Sequence, residues 1–98
     1  NKLQLERCKS IGFSKTYSAS HFTTDSGAGG TALACGVKTK NGMIGMNPDS
    51  VAVQSILELA EKNKLATGIV VACAVTHATP ASFIAHVADR NMYEEIAA

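Results

Sequence analysis

No block of like charge marks this chain. Nine basic residues stand against eight acidic ones, a formal charge of +1. With neither a basic cluster nor an acidic tail, nothing suggests nucleic acid as a partner or a solvating arm. Long apolar runs are missing too. The longest, Gly68 to Val75, is far too short to span a bilayer. Cysteine is sparse and odd in number: Cys8, Cys35 and Cys73, with no C-x-x-C spacing. That gives neither a disulfide framework nor a zinc knuckle. Free thiols are expected, at least two of them buried in apolar surroundings. Repeats and low-complexity linkers are absent. No signal peptide is visible, but the chain begins at Asn1 rather than Met, so that absence says nothing about an upstream segment. What is present, 98 residues with 46% hydrophobic and 17% charged content, reads as at most one small globular domain.

Punctuation residues divide the chain. Residues 1 to 12 carry scattered Leu3, Leu5, Cys8 and Ile11 and read as the tail of a helix ending at Gly12. Phe13 to Thr24, rich in Ser, Thr and aromatics, reads as extended. A helix is expected over 26 to 35 with Asp25 or Ser26 at its N-terminus. Asn41–Gly42 between two short runs predicts a type I′ hairpin. Val53, Ile56, Leu57 and Ala60 fall at i, i+3, i+4 and i+7. They predict an amphipathic helix capped by Asp49 or Ser50. The β-branched run in "LATGIVVACAV" predicts a buried strand. Thr79 reads as an N-cap with Pro80 at the first helical position, and Phe83, Ile84 and Val87 as the apolar face of that helix. The alternation favours an α/β layered domain with a largely parallel sheet. Only two or three strands can be counted, so the chain looks like a slice of a larger fold.

The candidate for chemistry is "TTDSGAGGTALACG", residues 23 to 36. Small residues after Ser26 let a ligand approach the backbone closely. A serine at a helix N-terminus meets free N–H groups and a dipole that favour an anion such as phosphate, or a serine alkoxide. On spacing alone, a flexible loop with an ordinary cap explains the stretch equally well. "DSGAGG" is also similar to the G-D-S-G-G of chymotrypsin-like proteases. Those need a β-barrel, a second Asp and a catalytic His, whereas "TALACG" reads as helical and Thr24, not Gly, precedes Asp25. A Walker-type loop needs G-K-[ST]; here Thr31 and Ala32 follow Gly30.

Asp25, Ser26, Gly27, Ala28, Gly29, Gly30 and Thr31 resemble, in order, the nucleophile region of alkaline phosphatases: Asp-Ser, four small residues, then Thr. Thr23 departs from the usual Ile or Val two residues before the Asp. The resemblance runs on through "GVKTKNG", "ILELAEKNKLATGIV" and "THATPASFIAHVADR", covering nearly everything from residue 13 onward. It implies a three-layer α/β/α fold with a largely parallel central sheet, present here only in part, as a fragment of one catalytic domain. It further implies that Ser26 is the nucleophile that becomes phosphorylated. Asp25 would help hold the phosphate-binding arginine, Arg90 would clamp two phosphate oxygens through its bidentate fork, and the backbone at Gly27 would hold a non-transferred oxygen. Thr79 would be a hydroxyl ligand of a magnesium site, with His77 beside that metal. His86 matches a histidine that is not assigned as a ligand. Without the resemblance, Thr79 is a helix cap, His77 a polar loop residue and Arg90 a cation at a helix end. His21 and His86 read as surface or satisfied core histidines.

By the same resemblance the full-length site holds two Zn²⁺ and one Mg²⁺. One zinc faces Ser26 as an alkoxide, and the reaction is two in-line displacements on phosphorus. Substrates would be small phosphomonoesters, the assembly a homodimer and the location periplasmic or extracellular. Most metal ligands are missing from this chain. Asp25 and Asp49 are its only aspartates before Asp89, and neither lies in the family's D-G-x-G-type turn. A non-catalytic phosphate-binding module therefore stays open as an alternative. Thr79 and Arg90 are also far apart for one site: eleven residues of continuous helix span about 16 Å. Either the arginine reaches back or the helix ends early and the chain turns, with Asp89 or Arg90 expected at or just past its end.

Overall fold

The structure is a computed structural model and describes residues 2–98. A short 3₁₀ helix, Gln4–Arg7, is followed by an irregular segment to residue 25, in which the Ala19 amide donates to the Thr39 carbonyl at 2.8 Å. The α-helices are α1 (Ser26–Cys35), α2 (Ile56–Lys62), α3 (Ala78–Ala81) and α4 (Tyr93–Ala97).

Helix α1 forms where its caps place it. The Asp25 carboxylate accepts from the Ala28 amide at 2.8 Å, satisfying one of the donors that a helix start leaves over. Gly36 ends the helix in the left-handed region at φ 72°, its amide donating to Ala32, a conformation that glycine adopts without steric cost. The glycines within α1 serve close packing. A Cβ on Gly30 would lie 2.6 Å from the Ser82 hydroxyl, and one on Gly27 would lie 3.1 Å from the Met43 carbonyl. These small residues admit neighbouring parts of the same chain, where the sequence suggested the approach of a ligand.

Thr31, fully buried on the same helix, ties it to the following loop. Its hydroxyl donates to the Met43 carbonyl at 3.4 Å and accepts from the Gly45 amide at 2.9 Å. Ile44 and Val87 then exchange both backbone bonds at 3.0 Å, an isolated antiparallel pair. Around that pair lies the core: Ile44, Ala78, Ala81, Ala85, Val87 and Ile96, with Met92 against it.

Several expectations are corrected. Among the described residues there is no strand, only the isolated bridges Ile44–Val87 and Met46–Ala52, so the parallel sheet expected of the whole fold is not shown by this segment. The run 65–75 is not a buried strand; Val70 is 99% exposed. A strand needs neighbours for its N–H and C=O groups, and no described segment pairs with this one. Residues 13–24 likewise carry no ladder, and Phe13 and Phe22 stand open to solvent.

Asn41–Gly42 does form a turn, with Met43 N–H donating to Lys40. Only Gly42 has positive φ, so it is not type I′, and the chain leaves it to pair with residue 87 rather than with the preceding run. Helix α2 starts later than the periodicity suggested. Ser55 and Glu58 form a reciprocal capping box, while Ser50 sits at φ 61°. Helix α3 is one turn long. His77 is its N-cap position, so Thr79 and Pro80 lie inside it, and Val87 belongs to the bridge. Cys8 and Cys73 are exposed and only Cys35 is half-buried, so the thiols are free but not two of them buried.

Gly30→Ala should force α1 and α3 apart, because the short Ser82 side chain cannot swing clear while its hydroxyl bonds Ala78 at 2.8 Å. Overpacking of this kind costs about 1–3 kcal/mol, to be read as a lowered urea midpoint of the full-length protein. Unchanged stability would contradict the packing described.

Candidate active site

The first residue of α1, Ser26, is exposed. Its own amide and that of Gly27 have no acceptor among the described residues, so the hydroxyl stands at the positive end of a ten-residue helix whose first two N–H groups are without a protein acceptor. Helix α3 ends early and the chain turns through residues 82–84. It then runs back along the 42–44 segment, where the Arg90 amide donates to Gly42 at 2.7 Å. Here lies the answer to the distance between Thr79 and Arg90. Arg90 sits in a turn well past the helix end, and the reversal delivers its guanidinium to the start of α1.

Arg90 Nη1 donates to Ser26 Oγ at 2.8 Å and to Asp25 Oδ2 at 3.2 Å. Asp25 Oδ2 also accepts from the Gly42 amide at 2.9 Å, while Oδ1 serves Ala28. Burial alone would push the Asp25 carboxyl up. The Ala28 and Gly42 amides and the Arg90 guanidinium outweigh it and hold the group below the ordinary carboxylate range. Asp25 is therefore an anion that aims a cation. The other guanidinium nitrogens of Arg90 make no bond to protein among the described residues, which leaves donors for oxygens brought by a ligand.

Four of the residues singled out in the sequence thus meet: Asp25, Ser26, Gly27 and Arg90. His77 and Thr79 do not join them by any hydrogen bond; both are exposed at α3. No imidazole contacts Ser26. His21 bonds the Ser20 hydroxyl at 2.7 Å, and His86 bonds Gly45 and Glu58, so a serine–histidine pair is not formed. Nor do the donors present fit a metal site. Among the described residues no three His, Cys, Asp or Glu side chains gather to hold an ion. Asp25 is committed to Arg90 and two amides, and Asp89 to the Asn91 amide and side chain.

For His86, read in the sequence as a surface or satisfied core histidine, the partners escaped the sequence. His86 is part-buried between the Gly45 carbonyl, 2.7 Å from Nδ1, and the Glu58 carboxylate, 2.9 Å from Nε2. Partners forty-one and twenty-eight residues away leave no local signature.

A family model described as alkaline phosphatase matches residues 1–98. The chain belongs to the alkaline phosphatase family. It is 49% identical over 87 residues to an alkaline phosphatase of Schizosaccharomyces pombe, covering 89% of this chain and 16% of the relative. Its structure matches that of alkaline phosphatase from the Antarctic bacterium TAB5 with a TM-score of 0.89 at 50% identity, over 94% of this chain and 27% of that one. A TAB5 mutant with Mg bound in its M3 site matches at 0.92 and 46%, over 99% and 28%. These neighbours carry the α/β class. The chain thus spans about a sixth of the curated relative's length.

In this alkaline phosphatase segment the Asp25 carboxylate should contribute stability with a definite pH sign. Its folded pKa lies below the ordinary value. The contribution is complete above about 3.9, the unfolded value, and is lost as pH falls through the lowered folded value. Urea unfolding of the full-length protein and its Asp25→Asn variant should show a gap at neutral pH that closes in acid. A gap that persisted unchanged to pH ~2 would contradict the ionised, paired state.

Proposed function

We propose that these residues are part of the catalytic domain of an alkaline phosphatase that hydrolyses phosphomonoesters through a phosphoserine at Ser26. The observation that carries this reading is the Arg90 guanidinium held against both the exposed Ser26 hydroxyl and the Asp25 carboxylate. Substrate phosphate lies at the start of α1. Arg90 takes two of its non-transferred oxygens with the donors the protein leaves over, and the Gly27 amide takes another. Ser26 Oγ forms a bond to phosphorus as the bond to the alcohol oxygen breaks. Water then displaces Ser26 and releases inorganic phosphate. Asp25 keeps the guanidinium in plane and in place through both steps.

The proposed site of the complete protein includes two zinc ions and one magnesium ion, and Ser26, Thr79 and His77 are the residues of this chain proposed to contribute to holding them. The donors among the described residues do not by themselves fit a metal site, and the remaining ligands are proposed to come from elsewhere in the domain. When bound, such ions supply hydroxyl activation and leaving-group stabilisation. The complete protein is proposed to act on small phosphomonoesters, as a homodimer, in a periplasmic or extracellular location. Among the described residues no helix is long and apolar enough to cross a membrane. A serine hydrolase is disfavoured because the partner of Ser26 is a guanidinium, which cannot serve as a base. Taken by itself, the segment offers grip on phosphate without the metal-binding groups of turnover, which is what the binding-module alternative describes.

Ser26→Ala in the full-length protein should lower turnover by about 10³-fold or more. Substrate trapped on the parent at acid pH and digested should leave phosphate on the Ser26 peptide; phosphate on any other residue would sink the assignment.

A further inference from the structure

The His86 cluster has no part in the proposed chemistry, yet it lies on the returning chain, one residue before the Val87 bridge and four before Arg90. Gly45 is opposite His86 in the register set by Ile44 and Val87. With φ 59°, Gly45 turns its carbonyl to accept from both the Val53 amide at 2.9 Å and His86 Nδ1 at 2.7 Å. A carbonyl can only accept, so Nδ1 carries a proton. Nε2 faces a carboxylate at 2.9 Å, which favours a proton there as well. Burial opposes that charge, while Glu58 and the Gly45 carbonyl overcome it and raise the His86 pKa; Glu58 is lowered in turn, first by its bond to His86.

The facing groups are few. Helix α2 offers the Glu58 carboxylate, and the loop offers the Gly45 carbonyl. Cys35 at the end of α1 lies near the same carboxylate, its thiol pushed up by burial and by the Glu58 charge and therefore neutral. Glu58 is itself fixed. Its other oxygen accepts from the Ser55 amide at 2.7 Å, and the Ser55 hydroxyl donates to the Phe83 carbonyl at 2.7 Å. Residues 83 and 86 are thereby clamped to α2, just ahead of the bridge at Val87 and the Arg90–Gly42 bond.

We propose that His86 is a positioning residue for Arg90: by locking the returning chain to Gly45 and Glu58, it sets the register that presents the guanidinium to Ser26. Glycine at position 45 belongs to the same device, because a Cβ there would collide with the Ala85 carbonyl and the His86 ring. The inference rests on the reading of Arg90 as the phosphate clamp.

The test is a double-mutant cycle in the full-length protein, with the inhibition constant of inorganic phosphate as readout. His86→Ala should weaken phosphate binding about tenfold in the parent but less than about twofold in an Arg90→Ala background, because groups that act through one another are not additive. Glu58→Gln, which keeps the shape and removes the charge, should show the same pattern more weakly, and it stands in if His86→Ala does not fold. His86→Gln, which keeps N–H donors but not the ring geometry that places them on opposite partners, should recover part of the loss. Equal effects in both backgrounds, or unchanged phosphate affinity in both His86→Ala and Glu58→Gln, would overturn the positioning role alone. If Arg90→Ala by itself binds phosphate as the parent does, the clamp reading falls and the inference falls with it.

Discussion

Asp25 accepts from the Ala28 amide through one carboxylate oxygen and from the Gly42 amide and Arg90 through the other. Three stretches of chain that share no secondary-structure element meet on that one group. The first contact starts α1 and so decides where Ser26 is displayed. The second pins the 41–44 turn. The third orients the guanidinium. Burial of a carboxylate is unfavourable unless its oxygens are paired, and here the pairing partners are the parts of the site. The same interactions that stabilise the anion therefore build the arrangement at which phosphate binding is proposed.

Packing around this hub relies on small residues. Gly27 and Gly30 let α1 lie against Met43 and Ser82, and Thr31 fills the gap with bonds to Met43 and Gly45. Large apolar side chains do much less. Phe13, Phe22, Leu33 and Val70 are open to solvent, while the core is mostly alanine with Ile44, Val87 and Ile96. Directional bonds in the 25–45 and 77–90 stretches, more than apolar mass, hold the arrangement around Ser26.

Where the deciding contact is local, the sequence was legible. The Asp25 cap and the Gly36 stop mark α1, and both act within one turn of the helix they bound. Ser55 and Glu58 spell a capping box that was equally readable, but the apolar spacing through Val53 drew the helix start too early. The run Leu65 to Val75 misled because composition reports a preference for burial in a sheet, while the sheet depends on neighbours that the described residues do not supply. Arg90 could be placed at Ser26 only by family resemblance. Nothing in its own neighbourhood announces a reversal at 82–84 or a bond sixty-four residues away. His86 was read as a surface or satisfied core histidine, and its partners Gly45 and Glu58 were invisible for the same reason.

The most direct measurement of whether Asp25 organises the site is a crystal structure of the full-length protein carrying Asp25→Ala. With the carboxylate gone, α1 should persist with a weakened cap, while the Arg90 guanidinium leaves the Ser26 hydroxyl and the Gly42 turn shifts away from the helix start. Arg90 found still 2.8 Å from Ser26 Oγ, as in the parent arrangement, with Gly42 unmoved, would contradict the account. The guanidinium would then be placed by the chain path alone, and Asp25 would be no more than a helix cap.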